Sequence, residues 1–130
     1  MKQSLRRYLA PAIGGALLAV LLSPMPALAH HGWGGNEDKL TDVTGTVTTP
    51  VSLAGPHGTM KIKDADGHVW DVTMAPPNRT QQAGVTEKLM PVGSTVMVHG
   101  HRNKNQKTYE IKVTKLTFNG KLYDVYPGMD

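Results

Sequence analysis

Short stretches in which apolar and polar residues alternate recur along the chain, and this period of two constrains the fold more than any other feature. In "TMKIK", Met60 and Ile62 fall on one face and lysines on the other. In "VWDVTM", Trp70, Val72 and Met74 share a face in the same way. Alternation of this kind is typical of β-strands with one buried side. The sequence therefore predicts a mainly β protein.

Turn-forming residues divide the chain into strands. "DADG" predicts a hairpin between the two stretches above, because glycine tolerates the positive φ of a tight turn. A first strand is predicted over Leu40 to Thr49, and a short helix between Pro76 and Gly84, which suit a helix start and end. Two strands follow, in "VGSTVMVHGHR" and "KTYEIKVTKLTF", and then a small one after a tight Asn119-Gly120 turn.

The residue pattern of the fifth predicted strand indicates an irregularity near Thr114. Ile111 and Val113 lie on one face, whereas Leu116 and Phe118 have the other parity, so an extra residue between them is expected. The order of three strands, a short helix, two strands and a small extra strand is that of the OB-fold, a small Greek-key barrel. We predict an OB-like barrel of five to six strands with one short helix. An open antiparallel sandwich is the alternative.

Residues 1–29 are predicted to be a signal peptide. Three basic residues precede an apolar run of 11 residues, Ala12 to Leu22, which is shorter than the roughly 20 residues that cross a bilayer. The small-x-small triplet Ala27-Leu28-Ala29 predicts cleavage after Ala29. We therefore expect export by the general secretory route, with the twin-arginine route, suggested by Arg6-Arg7, as the alternative. We also expect one domain over residues 30–130, a periplasmic location and no membrane anchor after processing.

Charge and composition narrow the function. Removal of Lys2, Arg6 and Arg7 from the 14 basic residues leaves 11, against 10 acidic residues, so no nucleic-acid partner is expected. The absence of cysteine excludes disulfides, thiolate chemistry and cysteine-based zinc sites. No phosphate-binding loop is found, and the pair Asp64 and Asp66 lacks the acidic residues of a calcium loop, which favours a plain turn. We expect no enzymatic activity.

Several motifs together resemble those of a known family. "HHGW" comprises His30, His31, Gly32 and Trp33, and "GPHG" spans residues 55–58. With "WDVTMAPPNRT", "VGSTVMVHGHR" and "YDVYP", they are similar to motifs of small exported bacterial proteins of unknown function. Gly55 stands where that family carries asparagine. The resemblance covers nearly all of the chain after Ala29 and implies an OB-like fold, but it brings no activity.

The first two residues after the predicted cleavage site suggest a metal site. The α-amine of His30 and its own Nδ1 can chelate one ion, and the amine, with a pKa of about 8, yields its proton readily to Cu²⁺. A third nitrogen would come from His31, His57 or His101, and nitrogen-rich tetragonal sites favour copper. The alternative for His30 and His31 is a frayed terminus, and for His57 a turn histidine bonded to a carbonyl.

The other candidate metal ligands are weaker. His99 and His101 share one strand face, and the resemblance favours His101 of the two. His68 is expected at the surface. The strand parity of Met60 and Met74 favours core positions over copper ligation.

Two metal-free alternatives remain open. An OB-type module could bind a polypeptide or a glycan in a groove lined by Trp33, Arg79, Arg102 and Tyr109. A structural or stress-related periplasmic protein would bind no small ligand.

Overall fold

This computed structural model describes residues 32–129, which contain six strands and one short helix joined by loops. The elements are β1 (Thr41–Ser52), β2 (Thr59–Lys63), β3 (Val69–Thr73), α1 (Pro77–Gln82), β4 (Thr95–Arg102), β5 (Glu110–Phe118) and β6 (Lys121–Asp124). The predicted signal peptide, His30 and His31 lie outside the described residues.

The strands close into a barrel. Their order in the sheet is β3-β2-β1-β4-β5-β6, with antiparallel neighbours throughout. In addition, β3 pairs with β5 in parallel, placing Thr73 opposite Lys112. This pairing joins the end of the sheet back to its fifth strand, so β1 to β5 form a closed barrel and β6 extends it beyond β5. The predicted OB-like class is confirmed, and the structure is not an open sandwich.

The first strand is longer than predicted and continues to Ser52. Its first half pairs with β4 and its second half with β2, so it belongs to both sides of the barrel. Register shifts between Val47 and Ser52 bend it. Pro50 lies within this irregular stretch, where a missing N–H group costs no regular ladder bond. The predicted strand ended at Thr49 because a proline such as Pro50 usually ends a strand.

The alternating residues form the core as predicted. Ile62 and Val72 are buried, as are Val96 and Val98 on β4, and Trp70 is only 4% exposed. Met60 and Met74 are buried as well, which confirms their core assignment. Within the described chain, the polar residues that alternate with these core residues face outward. Solvent-accessible functional groups are therefore found on the outer surface and in the loops.

The helix prediction is also confirmed. Pro77 occupies the first turn of α1, and Gly84, with a φ of +95°, follows its end. The buried Thr80 hydroxyl donates a hydrogen bond of 2.7 Å to the Ala75 carbonyl, which ties the helix to the end of β3.

Thr114 is the extra residue of a β-bulge, as the parity change predicted. His99 pairs with Lys115 but Gly100 pairs with Val113, which leaves Thr114 without a partner in the ladder. Val113 and Thr114 are consecutive buried residues, and the bulge lets Leu116 face inward too. The Thr114 hydroxyl donates to the His99 carbonyl at 3.3 Å. The bulge therefore keeps both halves of β5 in the core.

Gly100→Ala is expected to destabilise the barrel by at least about 3 kcal/mol. A Cβ at Gly100 would lie 2.1 Å from the Lys112 carbonyl oxygen and 2.6 Å from the Val113 Cα, and neither backbone atom can move without shifting β5. Urea denaturation measures the loss. Gly34→Ala is the matched control, since its Cβ meets nothing within 4 Å. Equal unfolding midpoints for the two variants would contradict this packing.

Candidate functional site

The loop between β1 and β2 is fixed by backbone hydrogen bonds that hold His57 in place. The Gly58 N–H donates to the Ala75 carbonyl at 2.9 Å, and the Met74 N–H donates to the Gly58 carbonyl at 2.7 Å. A side chain at Gly58 would meet Thr80 of the helix at 3.2 Å, so glycine permits this close approach. The loop therefore lies against the end of β3 and the helix.

The imidazole of His57 has a defined hydrogen-bond role. Its Nδ1 lies 3.0 Å from the Met74 carbonyl oxygen. Because a carbonyl can only accept, Nδ1 carries the proton and donates, and Nε2 of the neutral ring keeps its lone pair. A backbone carbonyl that orients a histidine in this way is the usual outer partner of a metal-binding imidazole. His57 can thus bond to a carbonyl through Nδ1 and still serve as a metal ligand through Nε2.

The segment of residues 32–37 is hydrogen-bonded to the backbone at the end of β4. Asn36, which is 4% exposed, donates through its side-chain amide to the His101 carbonyl at 2.7 Å. The Glu37 N–H donates to the Arg102 carbonyl at 2.8 Å, and the Asn36 N–H donates to the Trp33 carbonyl at 2.9 Å. These bonds place Trp33 on the barrel surface.

His101 has the same kind of orientation as His57. Its Nδ1 donates to the Glu37 carbonyl at 2.8 Å, so Nε2 again keeps its lone pair in the neutral ring. The ring meets Trp33 edge to face, with centroids 5.5 Å apart. His101 is therefore anchored by residues 33–37.

A cavity of about 160 Å³ lies where this segment meets the β1–β2 loop. It is lined by Gly32, Trp33, His57, Thr73, Met74, Lys112 and Tyr126. Its floor follows from barrel closure, since the β3–β5 pairing sets Thr73 beside Lys112. We call this the Trp33 cavity.

The Trp33 cavity includes His57 but not His101. In the sheet, Lys112 pairs with Thr73 on one side and with His101 on the other. With about 4.8 Å between neighbouring strands, the backbones of Thr73 and His101 are roughly 10 Å apart. The structure thus brings His57 to the start of the described chain at Gly32, with His101 on the other side of Lys112 and against Trp33.

The cavity has a positive lining. The Lys112 ammonium lies 5.9 Å from the centroid of the Trp33 ring, and Arg79 lies over the Tyr126 ring at 5.5 Å. Burial raises the pKa of Tyr126, which the Arg79 charge partly opposes, so the phenol stays protonated at neutral pH. Lys112 and Tyr126 were missed as site residues. Only the "YDVYP" motif and the outward parity of Lys112 pointed to them.

The four predicted groove residues fall into two clusters. Trp33 and Arg79 both contact Tyr126, with ring centroids of Trp33 and Tyr126 5.6 Å apart. Arg102 instead lies over the rings of Trp70 and Tyr109, at 4.9 and 5.9 Å. One group borders the Trp33 cavity, and the other covers an edge of the core at Trp70.

The second cluster continues into the turn between β2 and β3. His68, expected as a plain surface residue, stacks on Tyr109 with centroids 4.1 Å apart. Donor atoms of Asp64, Asp66 and His68 all lie within 4.8 Å of one another, a spacing that could hold a cation. The oxygens of Asp64 already accept hydrogen bonds, however: Oδ1 from the Asp66 and His68 N–H groups and Oδ2 from the Trp70 indole. The arrangement is a hydrogen-bonded turn.

The chain matches a known family over most of its length. The model of a family of unknown function, DUF6152, matches residues 18–112. No curated protein matches the chain. Within residues 32–129, no helix is long and apolar enough to cross a membrane.

Solved structures resemble the chain at low sequence identity. The crystal structure of a ZRD-deleted mutant of TiaS in complex with agmatine has a TM-score of 0.51 and 18% identity over 67% of this chain. The chain spans about a quarter (26%) of that TiaS chain. The S. pombe Stn1-Ten1 complex has a TM-score of 0.46 and 17% identity, over 61% of this chain and 57% of the other. At 18% identity, the likeness to TiaS shows the fold alone.

Asp64→Asn is expected to lower stability at pH 7. The Trp70 indole N–H and the backbone N–H groups of His68 and Asp66 lower the pKa of Asp64, although burial opposes them. A lowered pKa in the folded state stabilises the protein above the ordinary pKa of about 4, and this contribution is lost as pH falls through the folded value. The stability gap between wild type and variant should therefore narrow towards pH 3.

Urea denaturation across this pH range measures the gap. Asp66→Asn is the control, because Asp66 bonds to Asp64 only through its backbone N–H. A gap that stays constant or widens in acid would contradict the assigned role of Asp64.

Proposed function

The chain belongs to DUF6152, a family of unknown function, and we propose that it is a small exported binding protein that holds copper at its processed amino terminus. In this proposal the first 29 residues are removed on the way to the periplasm, which exposes the α-amine of His30. The amine and the His30 Nδ1 chelate Cu(II). The protein is a binding protein and not an enzyme, and its copper would be stored, delivered or sensed.

One observation supports the position of this site: Gly32 lines the same cavity as His57. Two residues of chain span at most about 7 Å, so the Cα of His30 is within that distance of Gly32. His57 offers Nε2 with its lone pair, oriented by the bond from Nδ1 to the Met74 carbonyl. A third nitrogen from His57 would complete a T-shaped or square site.

His31 and His101 are the other sources of a third nitrogen. His101 is oriented equally well by the Glu37 carbonyl. It lies across Lys112 from the Trp33 cavity, however, so His57 ranks first. The amine and the imidazoles are uncharged as ligands, and the Lys112 ammonium adds a repulsive charge for Cu²⁺.

A mature chain that begins at His30 is expected to bind Cu²⁺ at least about tenfold more tightly than the same chain with an acetylated α-amine. Acetylation turns the amine into an amide and removes the chelate ring, and it supplies no new amine and leaves each histidine at its position in the mature chain. Isothermal titration in a buffer with a competing chelator measures both affinities. Equal affinities would refute the amino-terminal site. Mass spectrometry of the exported protein provides the independent check that its first residue is His30.

His57→Gln is expected to weaken copper binding of the mature chain at least about tenfold, because the third nitrogen is lost. An unchanged melting temperature of the variant shows that loss of the Nδ1 bond to the Met74 carbonyl has not displaced the loop. His99→Gln is the control, since His99 pairs with Asp42 on β1, away from the lining of the Trp33 cavity. If His101→Gln alone weakens binding, the third ligand is His101 and the cavity assignment is wrong.

A metal-free OB-type module is the second candidate function, supported by the contacts of Trp33 and Arg79 with Tyr126. Such a module would bind a polypeptide or a glycan in the presence of chelator. That nucleic acid is no partner stays a prediction from the charge of the mature chain. A melting temperature unchanged by copper and by any extract fraction would favour a structural protein without a ligand, because ligands that bind only the native state raise it.

A further inference from the structure

The lining of the Trp33 cavity contains a cation and no acid. Its side chains are those of Trp33, His57, Thr73, Met74, Lys112 and Tyr126. We propose that the cavity binds the carboxylate of a small organic acid, with Lys112 as the anchoring cation. This inference deepens the proposed copper function by adding an anionic occupant beside the metal position, although carboxylate binding itself needs no metal.

Lys112 differs from those lysines of the barrel whose charge is neutralised by a nearby carboxylate. The Lys61 ammonium bonds to Asp71 at 2.6 Å, and the Lys39 ammonium lies 3.9 Å from Glu37. Among residues 32–129, no carboxylate lies within ion-pair distance of the Lys112 ammonium, which lies over the face of Trp33. A half-buried ammonium at a cavity wall, without an acid, attracts an anion.

The polar groups around Lys112 suit an acceptor. The Trp33 indole, the Thr73 hydroxyl and the Tyr126 hydroxyl make no hydrogen bond to residues 32–129 and can each donate. Tyr126 remains a donor at neutral pH because burial raises its pKa. A carboxylate has two oxygens and accepts several such bonds.

Size and the apolar walls select the acid. An apolar cavity of about 150 Å³ holds one benzene molecule, whereas drug-sized ligands need roughly 300 Å³ or more. At about 160 Å³, the Trp33 cavity fits one ring or a short aliphatic chain. Trp33, Met74 and Tyr126 provide an apolar wall that inorganic phosphate, which has no apolar part, would not use. A ring-sized carboxylate such as benzoate is therefore the best probe.

The carboxylate and the metal should favour each other. Cu²⁺ bound by uncharged nitrogens next to Lys112 leaves the cavity with several uncompensated positive charges. A carboxylate bound at Lys112 would neutralise part of this charge, and one of its oxygens could serve as a further ligand for the metal. Linkage then requires that copper tighten carboxylate binding and that the carboxylate tighten copper binding by the same factor.

The first experiment titrates benzoate into the mature protein in the presence of chelator, followed by ¹H–¹⁵N NMR. Saturable shifts at Trp33, Thr73 and Lys112 are expected, with acetate and phosphate binding more weakly. Lys112→Met should weaken benzoate at least about tenfold. Lys121→Met is the matched control, because Lys121 also lies over an aromatic ring, Tyr123 at 5.1 Å, but does not line the cavity.

Equal benzoate affinity in wild type and Lys112→Met, or tighter binding of phosphate than of benzoate, would overturn the inference. Thermal melting of each variant shows that it is folded. If Lys112→Met does not fold, Lys112→Arg serves in its place, and it should keep benzoate binding within a fewfold of wild type while shifting the same resonances.

The second experiment repeats the benzoate titration with one equivalent of copper. Tighter benzoate binding in wild type, lost in Lys112→Met while copper still binds, is the expected result. Benzoate binding without any copper binding would overturn the proposed copper function and leave the carboxylate site standing. Copper binding without benzoate binding would do the reverse. Binding of both without mutual effect would show that they do not share the Trp33 cavity.

Discussion

The parallel pairing of β3 with β5 is the interaction on which the rest of the structure depends. It closes the barrel, removes the open edge that β3 would otherwise present, and sets Thr73 beside Lys112. Without it, the β1–β2 loop, which is bonded to the end of β3 at Met74 and Ala75, would have no fixed relation to β5. The Trp33 cavity therefore exists because distant parts of the chain are joined at this one seam.

Hydrogen bonds from residues 32–37 complete the cavity next to the β3–β5 pairing. Residues 32–37 form no strand of the barrel, yet Asn36 and Glu37 bond to the backbone of His101 and Arg102 and carry Trp33 over Lys112. In the same region two backbone carbonyls, those of Met74 and Glu37, each orient one imidazole. Both histidines then present Nε2, so their chemistry is set by backbone groups and not by acidic neighbours.

The sequence predicted what depends on local pattern. Alternation located the strands, the Pro76 and Gly84 signals located the helix, and the change of parity after Val113 located the bulge at Thr114. It did not predict the Trp33 cavity, because the residues that line it, from Gly32 to Tyr126, are brought together by register between strands that are far apart in sequence. From the sequence, His57 and His101 were equal candidates for the third metal ligand. In the structure they lie on opposite sides of Lys112, which pairs with Thr73 on one side and with His101 on the other.

Charge decides what such a cavity can hold. A site for a bare divalent cation normally has acidic ligands, and the lining here has none, whereas Lys112 and the nearby Arg79 are positive. Nitrogen ligands are the exception, since a soft enough ion such as Cu(II) is held by uncharged amine and imidazole groups. Under the proposed function, the positive lining would favour an anion beside the metal, since a cation bound without acidic ligands leaves uncompensated charge for an external anion. The proposed copper ion and the proposed carboxylate are thus compatible in one cavity, whereas carboxylate donors in the lining would repel the anion.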